Sequence, residues 1–430
     1  MESGIVCTRQ GRIAELAKQT PKFRLLSLNQ YLDTDWLREA YGKTRKDGAA
    51  GVDEVTAKEY AESLEERLAD LKERAKSGSY RAPPVRRTYI PKGDGRMRSL
   101  GIPTFEDKVL QRAIVMLLEP VYEAEFLECS YGYRPGRSAH TALEAIWKKA
   151  MGMGGCWIID ADLKGYFDTV AHKELKEMLN RRVGDGVIRR LVSKWLHAGV
   201  WEAGRVSYPE KGTPQGGVVS PLLSNIYLHE VLDKWFEEQI KPLLESGAFM
   251  VRYCDDFVMG FKSKTDAERV LAVLGKRMAK YGLELHAEKT RLVDFRPAEE
   301  GGGSGTFDFL GFTHIWRESR KGKPYVGRAT SKSRFERGLR KVGVYLRKTI
   351  TQPLPKQIRG LGIRLQGHYN YYGMRGNSKA IGRFWKEVKK LLMRSLRRRS
   401  GHHARQWTWE RFNHMIANSP LPRPLIIRGG

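Results

Sequence analysis

The chain has 430 residues, enough for two to three domains of about 100–200 residues each, and its 41% apolar and 10% aromatic content excludes a disordered or collagen-like polypeptide. No apolar run approaches the roughly 18 residues of a membrane span, and the amino end MESGIVCTRQGRIAELAKQTPK lacks an apolar segment behind a basic one, so the sequence predicts a cytoplasmic protein. The net charge of +28 is uneven: residues 315–430 hold 29 Lys and Arg against 4 acids, and these cations interleave with aromatics, the footprint of a polyanion binder with nucleic acid the favoured partner.

In chain order, 60–76 (YAESLEERLADLKERAK) sets Leu64, Leu68 and Leu71 at helical spacing among i,i+4 charge pairs. RRTYIPK reads as a strand, and 104–128 as a helix interrupted at Pro120. CWIIDADL is a strand running into acids, 185–200 an amphipathic helix, YCDDFVMGF a further strand segment and 265–281 another helix. EEGGGSG at 299–305 is too glycine-rich for a regular element and reads as a hairpin or hinge loop. Beyond it, helices are expected near 331–350, 354–373, 377–399 and 407–417. The fold class is α+β, with a boundary between the body and the basic helical region near 315–330. Cys7, Cys129, Cys156 and Cys254 form no CxxC pair and read as reduced thiols.

Asp255 and Asp256 lie between Val251 and Phe257-Val258-Met259, where two adjacent acids are costly unless a cation meets them. An isolated pair would read as a solvated hairpin turn. The segment from Trp157 to Asp168 alters that balance, because Asp160 and Asp162 fall on one strand face at period two. A sheet face collecting Asp162 with Asp255 and Asp256 would hold two divalent metals about 3.5–4 Å apart, the arrangement that activates an attacking oxygen and stabilises a leaving one. This is polymerase chemistry.

The motifs KDGAAGVDEVT (46–56), YIPKGDGRMRSLGIPTFEDKVLQRAI (89–114), SYGYRPGRSAHTAL (130–143), DADLKGYFDTVAH (160–172), GTPQGGVVSPLLSNIYLHEVLDKW (212–235), RYCDDFVMG (252–260), LELHAEKTRL (283–292) and FDFLGF (307–312) follow one another in order. Together they resemble group II intron-encoded reverse transcriptases and maturases, from about residue 24 to the end, and LQGHYNYYG at 365–373 resembles the thumb of that family. The resemblance implies a right-hand polymerase, its fingers and palm built on antiparallel sheet, followed by an α-helical thumb. Its divisions would be an N-terminal extension and the start of the fingers (1–90), fingers and palm (91–325), a helical maturase-specific thumb (326–400) and a basic nucleic-acid-binding tail (401–430). The implied function is RNA-directed DNA synthesis from deoxynucleoside triphosphates on an RNA template with a DNA primer. Binding of group II intron RNA, aid to splicing, and retrohoming into a DNA target site would accompany it. The alternatives are a splicing-only maturase and a reverse transcriptase repurposed for repair or phage defence.

By the same resemblance, Asp162, Asp255 and Asp256 are the catalytic, metal-binding carboxylates for two Mg2+ ions, with Mn2+ able to substitute, while Asp160 and Asp168 are structural. Phe167, five residues after Asp162, corresponds to the aromatic gate against a ribose 2′-hydroxyl, the other reading being a core phenylalanine. Lys92 and Arg98 are expected on the triphosphate, with Arg96 as a spare. In PQGG, Gln215 is expected near the sugar, with the glycines letting the backbone approach the nucleotide. Lys289 is expected near the leaving pyrophosphate, or else simply solvated. Arg134 and Arg137 read as template contacts or as loop anchors. Arg394, Arg397 and Arg398, at i, i+3 and i+4, make a basic helix face for phosphates. Trp407, Trp409 and Phe412 read as a small core, and His402 and His403 are not read as a metal site. Cys254 stands where the family usually has alanine, and the absence of paired cysteines toward the carboxyl end predicts no zinc-type endonuclease.

Overall fold

A computed structural model of the protein describes residues 2–91, 95, 97–212, 216–298, 305–399 and 407–426. Lys92, Arg96, Pro214, Gln215, His402, His403 and nearly all of the 299–305 loop lie outside these residues. The chain forms two compact units, one of residues 1–142 and 159–292, the other of residues 143–158 and 293–430.

The first unit opens with α1 (Glu2–Gln19), α2 (Thr34–Lys43), α3 (Ala57–Ala61) and α4 (Leu64–Ser77). Asp33 caps α2 by accepting from the Trp36 amide, and Thr56 with Glu59 closes a capping box on α3. The helix expected over 60–76 is therefore split: α3 ends before Glu62, and α4 restarts and runs to Gly78, which takes a left-handed conformation. After the hairpin β1 (Val85–Pro91) and β2 (Met97–Ile102), α5 spans Phe105–Glu123 without a break at Pro120. A proline there removes the amide that would bond the Met116 carbonyl. Gln10 on α1 supplies the donor instead, its Nε2 lying 3.1 Å from Met116 O, so the interruption read from the sequence does not occur.

Next in chain order come α6 (Ala139–Gly152) and β3 (Cys156–Ala161), of which residues 143–158 belong to the second unit, then α7 (Tyr166–Thr169), α8 (His172–Arg182), α9 (Gly186–Leu196), β4 (Val200–Glu202), β5 (Arg205–Ser207) and α10 (Ser220–Leu228), which continues as π-helix through His229–Asp233 and Trp235–Ile240. The hairpin β6 (Ala248–Tyr253) and β7 (Asp256–Phe261), α11 (Lys264–Lys280) and β8 (Arg291–Phe295) follow. One four-stranded sheet has the order β2-β1-β4-β5 and another β6-β7-β3-β8. β6, at the edge of its sheet, and β7, inside it, are buried on both faces, from Phe249 to Arg252 and from Phe257 to Phe261.

The second unit holds the sheet β11-β10-β9, from β9 (Phe307–Phe309), β10 (Phe312–Glu318) and β11 (Pro324–Thr330), and the helices α12 (Lys332–Lys348), α13 (Leu354–Tyr372), α14 (Ser378–Arg397) and α15 (Trp409–Ala417). These helices fall where hydrophobic periodicity sets them. Phe335, Leu346, Leu361, Leu365, Phe384, Val388, Leu392 and Phe412 make one buried core, with Trp407 packed against it. Trp409 stands edge-on to Phe412 but is half exposed, so the small aromatic core is Phe412 and Trp407.

His314 in β10 is fully buried, stacked on Phe307 at 4.7 Å with Arg328 on the facing strand, and burial first, then Arg328, pushes its imidazole down to about 3. A folded-state value below the ordinary one near 6.5 means the native state binds fewer protons, so this stability is present above that value and is lost as pH falls below it. The melting midpoint should therefore drop between about pH 6.5 and 4, and drop less steeply in His314→Phe, which keeps the stack. Equal pH profiles in thermal melts of the two proteins would clear His314 of that role.

Candidate active site

Asp162 is the first residue beyond β3, and the strand entering it is apolar and buried at Ile158 and Ile159. Its backbone is held from the far side: the His286 amide donates to Asp162 O at 2.8 Å, the Lys164 amide to Glu284 O at 2.8 Å, and Leu163 pairs antiparallel with Leu285. This pairing carries the AEKT segment past the acid, and the Lys289 ammonium is ion-paired with the Asp162 carboxylate. Lys289 is thus on the carboxylate cluster, not free in solvent. Asp160 faces Arg291 at 3.2 Å, consistent with a structural role.

The other two acids sit in the tightest part of the β6–β7 hairpin. Tyr253 pairs with Asp256, leaving Cys254-Asp255 as a two-residue turn, with Cys254 at φ +60. The aspartates therefore divide between turn and strand: Asp255 is the second turn residue, and Asp256 begins β7. Adjacent order in the sheet brings β7 beside β3 and so brings both acids toward Asp162. Desolvation raises the Asp255 carboxyl above the usual range; Asp162 raises it further and Arg98 opposes the rise. Asp256 is pushed up to about 7, by desolvation first, then by Asp255 and Asp162, with Lys289 acting the other way. Part of the residue still meets solvent, so the carboxyl lies in a recess open on one side, with Asp255 and Asp162 adding to the desolvation.

A carboxyl raised as far as that of Asp256 is fully ionised near neutral pH only beside added positive charge. Among the described residues no three His, Cys, Asp or Glu side chains form a ready-made metal cage. An all-oxygen set of a few carboxylates still fits Mg2+, which is commonly held by one or two carboxylates together with substrate phosphates.

Phe167 is half-buried in α7, edge-on to the buried Tyr166 at 5.3 Å, and lines a recess with Arg87, Gly101, Asp168, Lys211 and Gly212. Tyr166 is the core aromatic of the pair, its hydroxyl donating to Ser224 O at 2.9 Å. Arg98 is exposed on β2 and acts on Asp255 electrostatically. Gly216 has φ +118, and a Cβ on it would lie 2.7 Å from Gly101 O, so its closest approach is to the chain's own β2. Two residues further on, the Val218 and Val219 amides donate to Gln111 Oε1, and Gln111 in turn donates to the buried Asp107.

Of the two readings of Arg134, template contact or loop anchor, its hydrogen bonds favour the anchor. Its guanidinium is buried and all its donors are used, on Glu123 and on the carbonyls of Phe126, Leu127 and Ser130, which leaves none for a phosphate. Arg137 pairs with Glu128 at 2.8 Å and lies over Tyr131. Arg394, Arg397 and Arg398 are all exposed, and Arg397 also donates to Trp407 O. They end a longer stripe on α14, where Lys379, Arg383, Lys386, Lys390, Arg394 and Arg397 recur every three or four residues opposite Phe384, Val388 and Leu392.

The sequence reading missed Arg252, Asp233, Asn225 and Ser130, which lie buried under the carboxylate turn. The signal was an arginine inside the apolar strand AFMVRY, since an arginine there needs a buried partner.

Residues 90–314 match the reverse transcriptase (RNA-dependent DNA polymerase) family. Protein YkfC of Escherichia coli (strain K12) is 34% identical over 357 residues, 75% of this chain and 91% of that protein. The group II intron-encoded protein LtrA of Lactococcus lactis subsp. cremoris is 44% identical over 230 residues, 53% of this chain and 38% of LtrA. Nuclear intron maturase 2, mitochondrial, of Arabidopsis thaliana is 27% identical over 177 residues, 32% of this chain and 24% of its own length. The chain thus spans most of the first relative and well under half of the other two.

Proposed function

The chain belongs to the group II intron-encoded reverse transcriptases and maturases, and from this premise we propose that it copies RNA into DNA at the Asp162, Asp255 and Asp256 cluster. The observation that carries the reading is the convergence of Asp255 and Asp256, at the β6–β7 turn, on Asp162 at the end of the neighbouring strand β3. Two divalent cations bound there, Mg2+ or Mn2+, supply activation of the primer 3′-oxygen and stabilisation of the leaving pyrophosphate. Lys289, ion-paired with Asp162 at the edge of the cluster, is the chain's own cation placed to meet the leaving pyrophosphate. Arg98 beside Asp255 suits the incoming triphosphate, a role shared in this proposal with Lys92, while Gln215 serves the sugar.

In this reading the sheets β2-β1-β4-β5 and β6-β7-β3-β8 belong to fingers and palm (91–325), α12, α13 and α14 form the thumb (326–400), and the last residues (401–430), α15 among them, are a basic tail. Intron RNA, an RNA template with its DNA primer, and a DNA target are the proposed nucleic-acid partners, the excess charge after residue 315 being what supports them. No helix among the described residues is long and apolar enough to cross a membrane.

The test is extension of a DNA primer on an RNA template in Mg2+. A splicing-only maturase would show none at any metal concentration. Phe167→Ala should admit ribonucleotides, since the proposed gate works by bulk beside the sugar. Unchanged discrimination between the two sugars in a competition assay would return Phe167 to a packing role.

A further inference from the structure

Cys254 occupies a backbone conformation that its own side chain does nothing to favour. In the two-residue turn between Tyr253 and Asp256 only the first residue has positive φ, the pattern a type II′ turn reserves for glycine. For a non-glycine residue that geometry costs on the order of 1–3 kcal/mol and persists only where the surroundings over-determine it. Those surroundings are on the page. Arg252 is fully buried, with no solvent exposure of its side chain or of Asp233. All five guanidinium donors are used. Nε and Nη2 take the two oxygens of Asp233 at 2.7 and 2.5 Å, Nη1 takes Asn225 Oδ1 and Cys254 O at 3.0 Å each, and Nη2 takes Ser130 Oγ at 2.7 Å.

The bond to Cys254 O grips the turn itself. The rest of the network closes on it from outside: Asn225 Nδ2 donates to Gly132 O at 2.7 Å, and Gly132 lies so close to the turn that a Cβ there would be 2.4 Å from both Cys254 N and Sγ. Cys129 O and the Tyr131 amide bond the Arg252 backbone, so residues 129–132 run alongside β6 and end against the turn.

We infer that Arg252, neutralised by Asp233 and braced by Asn225 and Ser130, is a positioning residue that holds the strained Cys254–Asp255 turn so that Asp255 and Asp256 face Asp162. The inference rests on the carboxylate reading above and adds to it the group that sets the acids' geometry. A buried ion pair of this kind is weak evidence for stability alone, since desolvation cancels much of its Coulomb gain. Its specific consequence is the single bond to the turn carbonyl, which a lysine cannot make while also satisfying Asp233, Asn225 and Ser130.

The test uses the full chain and five proteins: wild type, Arg252→Lys, Arg252→Lys with Cys254→Gly, Ser130→Ala, and Asp255→Asn. Cys254 is a built-in probe, because it is buried in the turn while Cys156 is buried in β3. Mass spectrometry of iodoacetamide-treated, metal-free protein should show Arg252→Lys alkylated at Cys254 at least tenfold faster than wild type, with Cys156 unchanged. In primer extension the same variant should lose at least tenfold in kcat and need more Mg2+, with little change in KM for template. Glycine adopts the positive φ without cost, so adding Cys254→Gly should recover most of that loss.

The positioning role is overturned if Cys254 and Cys156 become reactive together, which is general loosening, or if neither does. It is also overturned if the glycine gives no recovery. A more conservative variant, Ser130→Ala, removes one of the five bonds and should move both readouts in the same direction by a smaller factor; no movement in either counts against the network. Should Asp255→Asn retain full extension, the carboxylate assignment itself falls, whatever Arg252 does to Cys254 reactivity.

Discussion

Replacing Asp255 with Asn, or Asp162 with Asn, is expected to cut Mg2+-dependent extension of a DNA primer on RNA by roughly a thousandfold or more, since each change removes several kcal/mol of metal-mediated stabilisation and every 1.36 kcal/mol is about tenfold in rate. Neither residue fills the core. Asp255 is a turn residue and Asp162 lies just beyond a strand end, so asparagine keeps the volume and the backbone contacts. Folding should survive, because removing one negative charge from a cluster that already pushes Asp256 up to about 7 relieves repulsion. RNA affinity measured without metal should stay within about twofold of wild type. Extension by either variant at near wild-type rate, in protein whose melting curve is unchanged, would remove the catalytic assignment.

The second large effect concerns RNA affinity and belongs to α14. Its cationic stripe from Lys379 to Arg397 covers 18 residue steps, about 27 Å at 1.5 Å each, with Glu387 the single acid of the helix. Each phosphate neutralised contributes roughly 0.7–0.9 to the slope of log affinity against log salt. Changing Arg394, Arg397 and Arg398 together to Gln should lower that slope by roughly 2 and weaken binding at low salt by one to two orders of magnitude. Arg394 should contribute more than Arg397, whose guanidinium also serves Trp407 O. Gln is nearly as good a helix former as Arg, so the helix remains. Substitution is a cleaner test than cutting the chain near residue 325, which would split β11 and strip the sheet it forms with β10. Titrations against intron RNA and an unrelated duplex at several salt concentrations decide the matter: affinity and slope equal to wild type on both would make the stripe a solvated surface.

The sequence by itself determined the elements whose burial repeats with a fixed period. The four basic helices after residue 331 lie within two residues of their expected limits because an apolar residue every three or four positions leaves one face that must be covered. The proposed carboxylates stood out for a similar local reason: acids set among apolar strand residues are visible in a short window. What depended on residues far apart in the chain was not legible. Pro120 does not break α5, because Gln10 arrives from another helix to bond the orphaned Met116 carbonyl. Arg134 reads equally as a template contact or a loop anchor until Glu123 and three carbonyls take its donors. Lys289 reads as a pyrophosphate contact or a solvated lysine until the pairing of Leu163 with Leu285 carries it to Asp162. Arg252 reads as one more cation in a basic chain, and only folding brings Ser130, Asn225 and Asp233 around it. Periodicity and composition are properties of neighbours along the chain, so the sequence displays them. The partner of a buried polar group is chosen by packing, and the tertiary structure alone decides whether a charge meets solvent, substrate or another part of the same protein.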